Sequence, residues 1–345
     1  MAFHKKIQKL LLIGVNLPST PLPAKPVLPT ELAPLVDAIT SVHQTFNLRA
    51  MDYGHRYRSA FWAIYLLSAL AVLCACLPLA LGWDNENHDM NHYSIVWVLS
   101  EVLIILAIGF IYWRGHQQDW QGQWLKARTT AEFAWYLPLI APLVDFDSLG
   151  ENANWYNGLF EPEQQAQGGH EVDELCRRLT PLASSAMKSV WSDAQFVISY
   201  ARWAAAILEG QCHYHRNVQH HQHALLHRVH AINSWLFGLT AVAALSHLVV
   251  HSKVLTLITT FFPALGASLH GALAQSEAYR LEATSARILT ELQRLMVPIR
   301  QGLVEQNAME NVEPLRASVL ASVALILDEH QDWHMLVRPH HLPLG

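Results

Sequence analysis

Two long apolar runs, Ser234 to Val250 and Val254 to Gln275, are separated only by His251, Ser252 and Lys253. Each matches the roughly 17 to 25 residues that an α-helix needs to cross a bilayer, and so short a link returns the second run beside the first. The pattern predicts a membrane hairpin. A second pair, Phe61 to Gly82 and Ser94 to Trp113, lies upstream. The expected fold is an all-α membrane protein with two transmembrane hairpins, four spans in all, whose long cytoplasmic helical extensions form a bundle.

The polar stretches between the runs read as those extensions. Glu31 to Leu81 reads as one helix, on the order of 75 Å long at the helical rise, with Thr30 as its cap. Before it, Pro18, Pro21, Pro23, Pro26 and Pro29 make residues 18–30 an extended linker. The second span is expected to continue through Trp120, Trp124, Arg128 and Glu132, one helical face with Arg128 and Glu132 as an i,i+4 pair, and to stop at Pro138 and Pro142. Residues 145–170 read as an acidic loop. Leu182 to Ile232 is expected to feed the third span as helix, and the fourth span to continue from Glu277 to Met296 and stop near Pro298. Glu313 to Asp332 reads as a last amphipathic helix with Leu315, Val319, Ser322, Ile326 and Glu329 on one face. The chain thus divides into 1–30, 31–142, 143–180, 181–297 and 298–345.

Composition fits a membrane protein with polar appendages: 52% of 345 residues are hydrophobic and 15% charged, with a mean hydropathy of +0.15. A formal charge of −5 gives no bulk attraction for nucleic acid. Cys74 and Cys76 fall inside a span and Cys176 and Cys212 lie far apart, so the sequence offers no disulfide framework. Lys5, Lys6 and Lys9 precede a short apolar run, Leu10 to Val15, that ends at Leu17-Pro18 without a small-residue cleavage site. It reads as a short strand or helix. Trp83 and Tyr93 mark the far membrane interface, and Tyr53, Tyr57, Trp62 and Tyr65 the near one. Arg49, Arg56, Arg58, Arg114, Lys126, Arg128, Arg228, Arg280 and Arg287 gather at one end of the spans, whereas Asp84, Glu86 and Asp89 occupy the opposite loop. The positive-inside rule therefore puts both termini in the cytoplasm of the bacterial inner membrane.

Few residues carry candidate chemistry. Glu101 is the one carboxylate inside a span, and a charge in hydrocarbon is retained where it faces a helix interface or water. With His247, Ser268 and His270 it forms the expected pore-lining or ion-contact set. Pro263 and Gly266 bend the fourth span, either as plain packing or as a gating hinge. His213, Arg216, His220, His223, His227 and His230 fall on one stripe, with His215 and His221 off it. A metal site, a helix seam and solvated surface are all open to this stripe, but it lacks the mixed ligand set of structural zinc, so no metal and no cofactor is expected. No phosphate loop, nucleophile elbow or HExxH is present, and the protein is not expected to be an enzyme.

The Tyr57-Arg58-Ser59-Ala60-Phe61 segment, the Trp120-Trp124-Arg128-Glu132 face, Trp235-Leu236-Phe237-Gly238-Leu239-Thr240, and Pro263-Ala264-Leu265-Gly266 with Gln275 to Arg280 resemble bacterial SLATT-type membrane proteins. The likeness covers about residues 50–140 and 200–295. It implies an antiphage defence effector similar to the channel component of the Hailong system. An oligomeric ion channel would then depolarise the cell under control of a nucleotide or oligonucleotide made by a partner nucleotidyltransferase. Arg177, Arg178, Arg202 and Arg216, interleaved with Trp191, Tyr200, Trp203 and Tyr214, are the candidate ligand-binding residues. Their alternative role is pairing with Asp173, Glu174 and Glu209. The expected partners are the bilayer, further copies of the chain in a closed ring such as a tetramer, and that ligand. The rival functions are a metal- or proton-linked transporter and a non-conducting scaffold for a cytoplasmic partner.

Overall fold

A computed structural model describes residues 2–18, 25–83, 91–143, 175, 177, 190–303 and 309–337. The described residues form α-helices and short 3-10 turns, and no strand occurs among them. In chain order the α-helices are α1 (Phe3–Leu11), α2 (Ala33–Leu81), α3 (Asn91–Gln117), α4 (Trp120–Ile140), α5 (Ala194–Ser246), α6 (Lys253–Gln275), α7 (Ala278–Gln301) and α8 (Val312–Val337). α2, α3, α5 and the α6–α7 stretch are long and apolar enough to cross a membrane.

The helix ends follow from local chemistry. α2 runs unbroken for 49 residues, past Gly54 and through Pro78. It stops at Gly82, whose φ of 73° lets the chain close with Gly82 N–H on the Leu79 carbonyl and Trp83 N–H on the Pro78 carbonyl. α5, 53 residues long, begins at Ala194, later than the expected Leu182: Asp193 caps it, its carboxylate accepting from Gln195 N–H at 2.9 Å. Residues 182–189 and the expected acidic loop at 145–170 lie outside the described residues. Thr30 is not a side-chain cap; it opens a 3-10 turn, Thr30–Leu32, that leads into α2. The lysine-rich start is helical as α1, but the apolar run Leu10 to Val15 leaves the helix after Leu11 and continues as turn, not strand.

Prolines punctuate less than expected. Pro138 lies within α4, which yields to a 3-10 turn only at Ala141–Leu143, and Pro298 lies within α7. The real interruptions are Asp119, between α3 and α4, and Glu277, between α6 and α7. Both are non-glycine residues at positive φ, 42° and 54°. Asp119 compensates by accepting the Gly122 N–H at 3.2 Å. The two parts of the chain therefore share one order: a very long helix, an apolar helix, an acidic residue in left-handed backbone, and a shorter helix.

α2 packs along α3, α4 and α6, and α5 along α6 and α7, while α8 joins α7 and α4. Two cores result. The first joins Leu35 and Ile39 of α2, Tyr136 and Leu139 of α4, Tyr200 and Leu208 of α5, Ile288 and Leu292 of α7, and Leu315 and Val319 of α8. Ser322 and Ile326 continue the buried face of α8, as the sequence pattern predicts. Tyr200 anchors this core by donating to the Leu139 carbonyl at 2.7 Å, and Trp191 donates to the Pro142 carbonyl at 2.8 Å. The second core joins Tyr57, Phe61, Trp62 and Ile64 of α2 to Trp124, Leu225, Val229, Leu269 and Leu273. By contrast, no residue in the apolar window of α3 is buried, so Leu103, Leu106 and Phe110 stand open.

Candidate functional site

The pore-lining candidates occupy separate places. Glu101 sits half-exposed on α3, within electrostatic reach of Cys74 and Cys76 on α2. His247, at the end of α5, has its Nε2 3.2 Å from Thr256 Oγ1 across the turn into α6. Ser268 is buried, whereas His270 is exposed with its ring 6.3 Å from that of His230. Pro263 is exposed inside an unbroken α6. A Cβ on Gly266 would stand 3.5 Å from Asn233 Oδ1, an ordinary contact. The tight glycine is Gly271: a Cβ there would lie 2.4 Å from Cε1 of Tyr65 on α2.

The ligand-binding candidates do not converge. Arg177 is exposed, and Arg178 lies outside the described residues. Arg202 is exposed and Arg216 half-exposed, and their separation along α5 is about 21 Å at the helical rise. Tyr200 and Trp203 are core residues, 0% and 6% exposed, and offer no free stacking face. Glu209, an expected partner of these arginines, pairs with Arg300 at 3.2 Å. Along the histidine stripe, His223 bonds Glu282 at 2.7 Å and His230 bonds the Tyr279 hydroxyl, both across to α7. His215, off the stripe, is the buried one, its Nδ1 3.4 Å from Ser285 Oγ. Among the described residues no three His, Cys, Asp or Glu side chains come together.

The best-built polar constellation lies where α2, α4 and α5 meet beside α1. Gly54 lets Trp124 of α4 approach α2, for a Cβ at residue 54 would stand 2.9 Å from the indole. Trp124 then stacks with Tyr57 at 6.0 Å between ring centroids and carries the Arg58 guanidinium 5.1 Å above its ring. The Tyr57 hydroxyl accepts from Gln275 Nε2 at 2.9 Å, and burial pushes its pKa up to about 12 against that bond. One turn along α4, Arg128 pairs with the buried Glu132. Trp62, expected at the lipid headgroups, is instead fully buried here.

A cavity of about 390 Å³ opens beside this cluster, walled by α1, α2, α4 and α5, with Lys5, Arg58, Arg128, Trp62, Tyr214 and Gln222 among its lining. α1 is fixed as one wall at two points. His4 Nδ1 lies 3.2 Å from Ser59 Oγ, and Arg228 donates to the Leu11 and Ile13 carbonyls at 3.1 and 3.3 Å, closing the helix C-terminus. The residues on α2 and α4 stand in the motifs that sequence reading singled out. What it missed is the contact across Gly54 and the return of α1, neither of which leaves a periodic signal.

His4 makes the docking of α1 sensitive to acid. Burial, then the nearby Arg58, His55 and Lys5 charges, lower its pKa from 6.5 to about 3, and His55 shifts in the same sense. A histidine depressed in the docked state binds fewer protons there than when released, so docking is fully favourable above pH 6.5 and weakens as pH falls toward 3. Amide exchange in residues 3–11 is therefore expected to rise severalfold between pH 7.5 and 5, after correction for intrinsic rates. His4→Gln is expected to flatten most of that rise; an unchanged profile would remove His4 from the account.

Comparison of the chain with family models, with curated proteins and with solved structures found no match.

Proposed function

We propose that the protein is an oligomeric membrane channel, with its termini and polar helices in the cytoplasm, opened or closed through those helices. The observation that carries this reading is Glu101: a half-exposed carboxylate on a helix whose apolar window has no buried residue. A carboxylate facing lipid is costly, so in a membrane that side of α3 belongs against further copies of the chain or a water-filled path. A four-helix unit fills its own centre with side chains, and a path for ions forms only between subunits of a closed ring. α2–α3 and α5–α6 serve as the two hairpins. Because α2 and α5 run without a break from the first core into the apolar stretches, a shift in the cytoplasmic bundle moves the spans directly.

The resemblance to SLATT-type effectors supports a defensive role in which opening depolarises the cell under a nucleotide-type signal. Potassium efflux from liposomes holding the purified protein tests conduction. Efflux above that of protein-free liposomes is expected, and it should rise more steeply than linearly with protein density where assembly limits conduction. Liposomes that contain assembled protein and retain their potassium would exclude the channel and favour the scaffold.

A further inference from the structure

We infer that the cavity beside α1 is a binding site for an organic phosphate, its phosphoryl group held by Lys5, Arg58 and Arg128 and the rest of the molecule lying against Tyr214. Control of the channel by this ligand rests on the reading above; the binding itself does not.

Charge is the first argument. Among the described residues, three fixed cations line the cavity against one carboxylate, Glu132, which already pairs with Arg128. Among the described residues no carboxylate comes within ion-pair distance of Arg58, whose guanidinium is packed between Trp124 and Gly54 with Tyr214, which favours its charge, and Arg128, which opposes it, in electrostatic reach. A half-buried guanidinium with no carboxylate partner is costly, and a phosphate that takes two of its N–H groups in one fork relieves that cost. His4, on the same wall, stays neutral at physiological pH and adds no charge of its own.

Unmet hydrogen bonds are the second argument. Trp62 is 0% exposed and lines the cavity, yet its indole N–H has no acceptor. The Gln222 side-chain oxygen, on α5, has no donor. A buried donor and acceptor left unmet are expensive, and the pair suits a ligand with an acceptor-rich head and a hydroxyl or amine on its body. The volume lies in the range of about 300–1,000 Å³ usual for small-molecule sites. The exposed ring of Tyr214 supplies an aromatic surface on the wall, beside apolar side chains such as Met51, Leu125 and Val218.

Two sources supply this chemistry. A soluble nucleoside monophosphate would reach the site from water by way of α1, and an anionic phospholipid from the bilayer, since Phe61 and Trp62 begin the first apolar run. Binding is measured on the full-length protein in an uncharged maltoside micelle, with adenosine monophosphate, inorganic phosphate and phosphatidylglycerol as probes. Isothermal titration serves the first two and native mass spectrometry the lipid.

One saturable site per chain is expected for adenosine monophosphate or for phosphatidylglycerol, and the probe that saturates identifies the source. Arg58→Gln should weaken it at least tenfold. Lys5→Gln, at an exposed position, should weaken it severalfold, and Arg202→Gln should leave it unchanged. If Arg58→Gln fails to fold, Lys5→Gln decides. Absence of saturable binding by every probe overturns the site, as does binding indifferent to Lys5→Gln. Saturable binding without potassium efflux would leave the site standing and remove the channel; efflux without binding would do the reverse.

Discussion

Gly271→Leu is expected to break the contact between α6 and α2, whereas Gly266→Ala, five residues earlier on the same helix, is expected to be neutral or mildly stabilising. The difference is one of space. A Cβ at residue 271 would overlap the Tyr65 ring, with its nearest atom at 2.4 Å, and two further ring carbons lie within 3.0 Å. Leucine adds three more carbons in the same direction, so the helices must separate. Overpacking of this kind costs about 1–3 kcal/mol or more. At Gly266 the nearest atom is at 3.5 Å, and alanine favours an uninterrupted helix by about 0.8–1.0 kcal/mol over glycine. Thermal melting of the two variants in detergent separates them: a lower midpoint and loss of the single gel-filtration peak for Gly271→Leu alone. Equal melting of Gly271→Leu and the parent chain would show that Tyr65 is not seated on this glycine.

That pair of glycines also marks what the sequence reveals. The apolar runs, the long continuous α2 and the buried face of α8 are legible because burial imposes a period on the chain, as at Leu315, Val319, Ser322 and Ile326. Gly266 and Gly271 look alike in that pattern, since a glycine declares that closeness is allowed but not which neighbour uses it. The same holds for Gly54, where Trp124 arrives from a helix far along the chain. Asp119 and Glu277 stay hidden for another reason: aspartate and glutamate have no fixed backbone habit, and only the packing of α4 on α2 and α7 on α5 turns them into breaks.

The candidate site divides in the same way. Arg58 and Arg128 fall in segments that carry the SLATT-type resemblance, but nothing in one dimension places Lys5 and His4 beside them. Aromatic neighbours single out Arg202 and Arg216 in the sequence, yet Tyr200 and Trp203 point into the first core, Tyr200 to bond the Leu139 carbonyl. An aromatic residue at helical spacing builds a core far more often than a ligand face, and here the core prevailed.

Glu101→Gln is expected to reduce the preference for potassium over chloride severalfold while leaving the oligomer intact. A ring of carboxylates around a narrow path favours cations, and the amide keeps the shape and the hydrogen-bonding capacity of the side chain without its charge. If Glu101 instead joins helices as packing glue, the substitution will reduce the yield of assembled protein and leave the ion preference of surviving channels unchanged. Gel filtration and reversal potentials under a salt gradient distinguish the two.

The same recording on the parent chain reaches the central claim most directly. Purified protein, shown to be assembled and inserted, is fused into a planar bilayer under a potassium chloride gradient. Discrete conductance steps with a reversal potential on the cation side are predicted; a bilayer that holds the assembled protein and stays silent at every voltage would contradict the account.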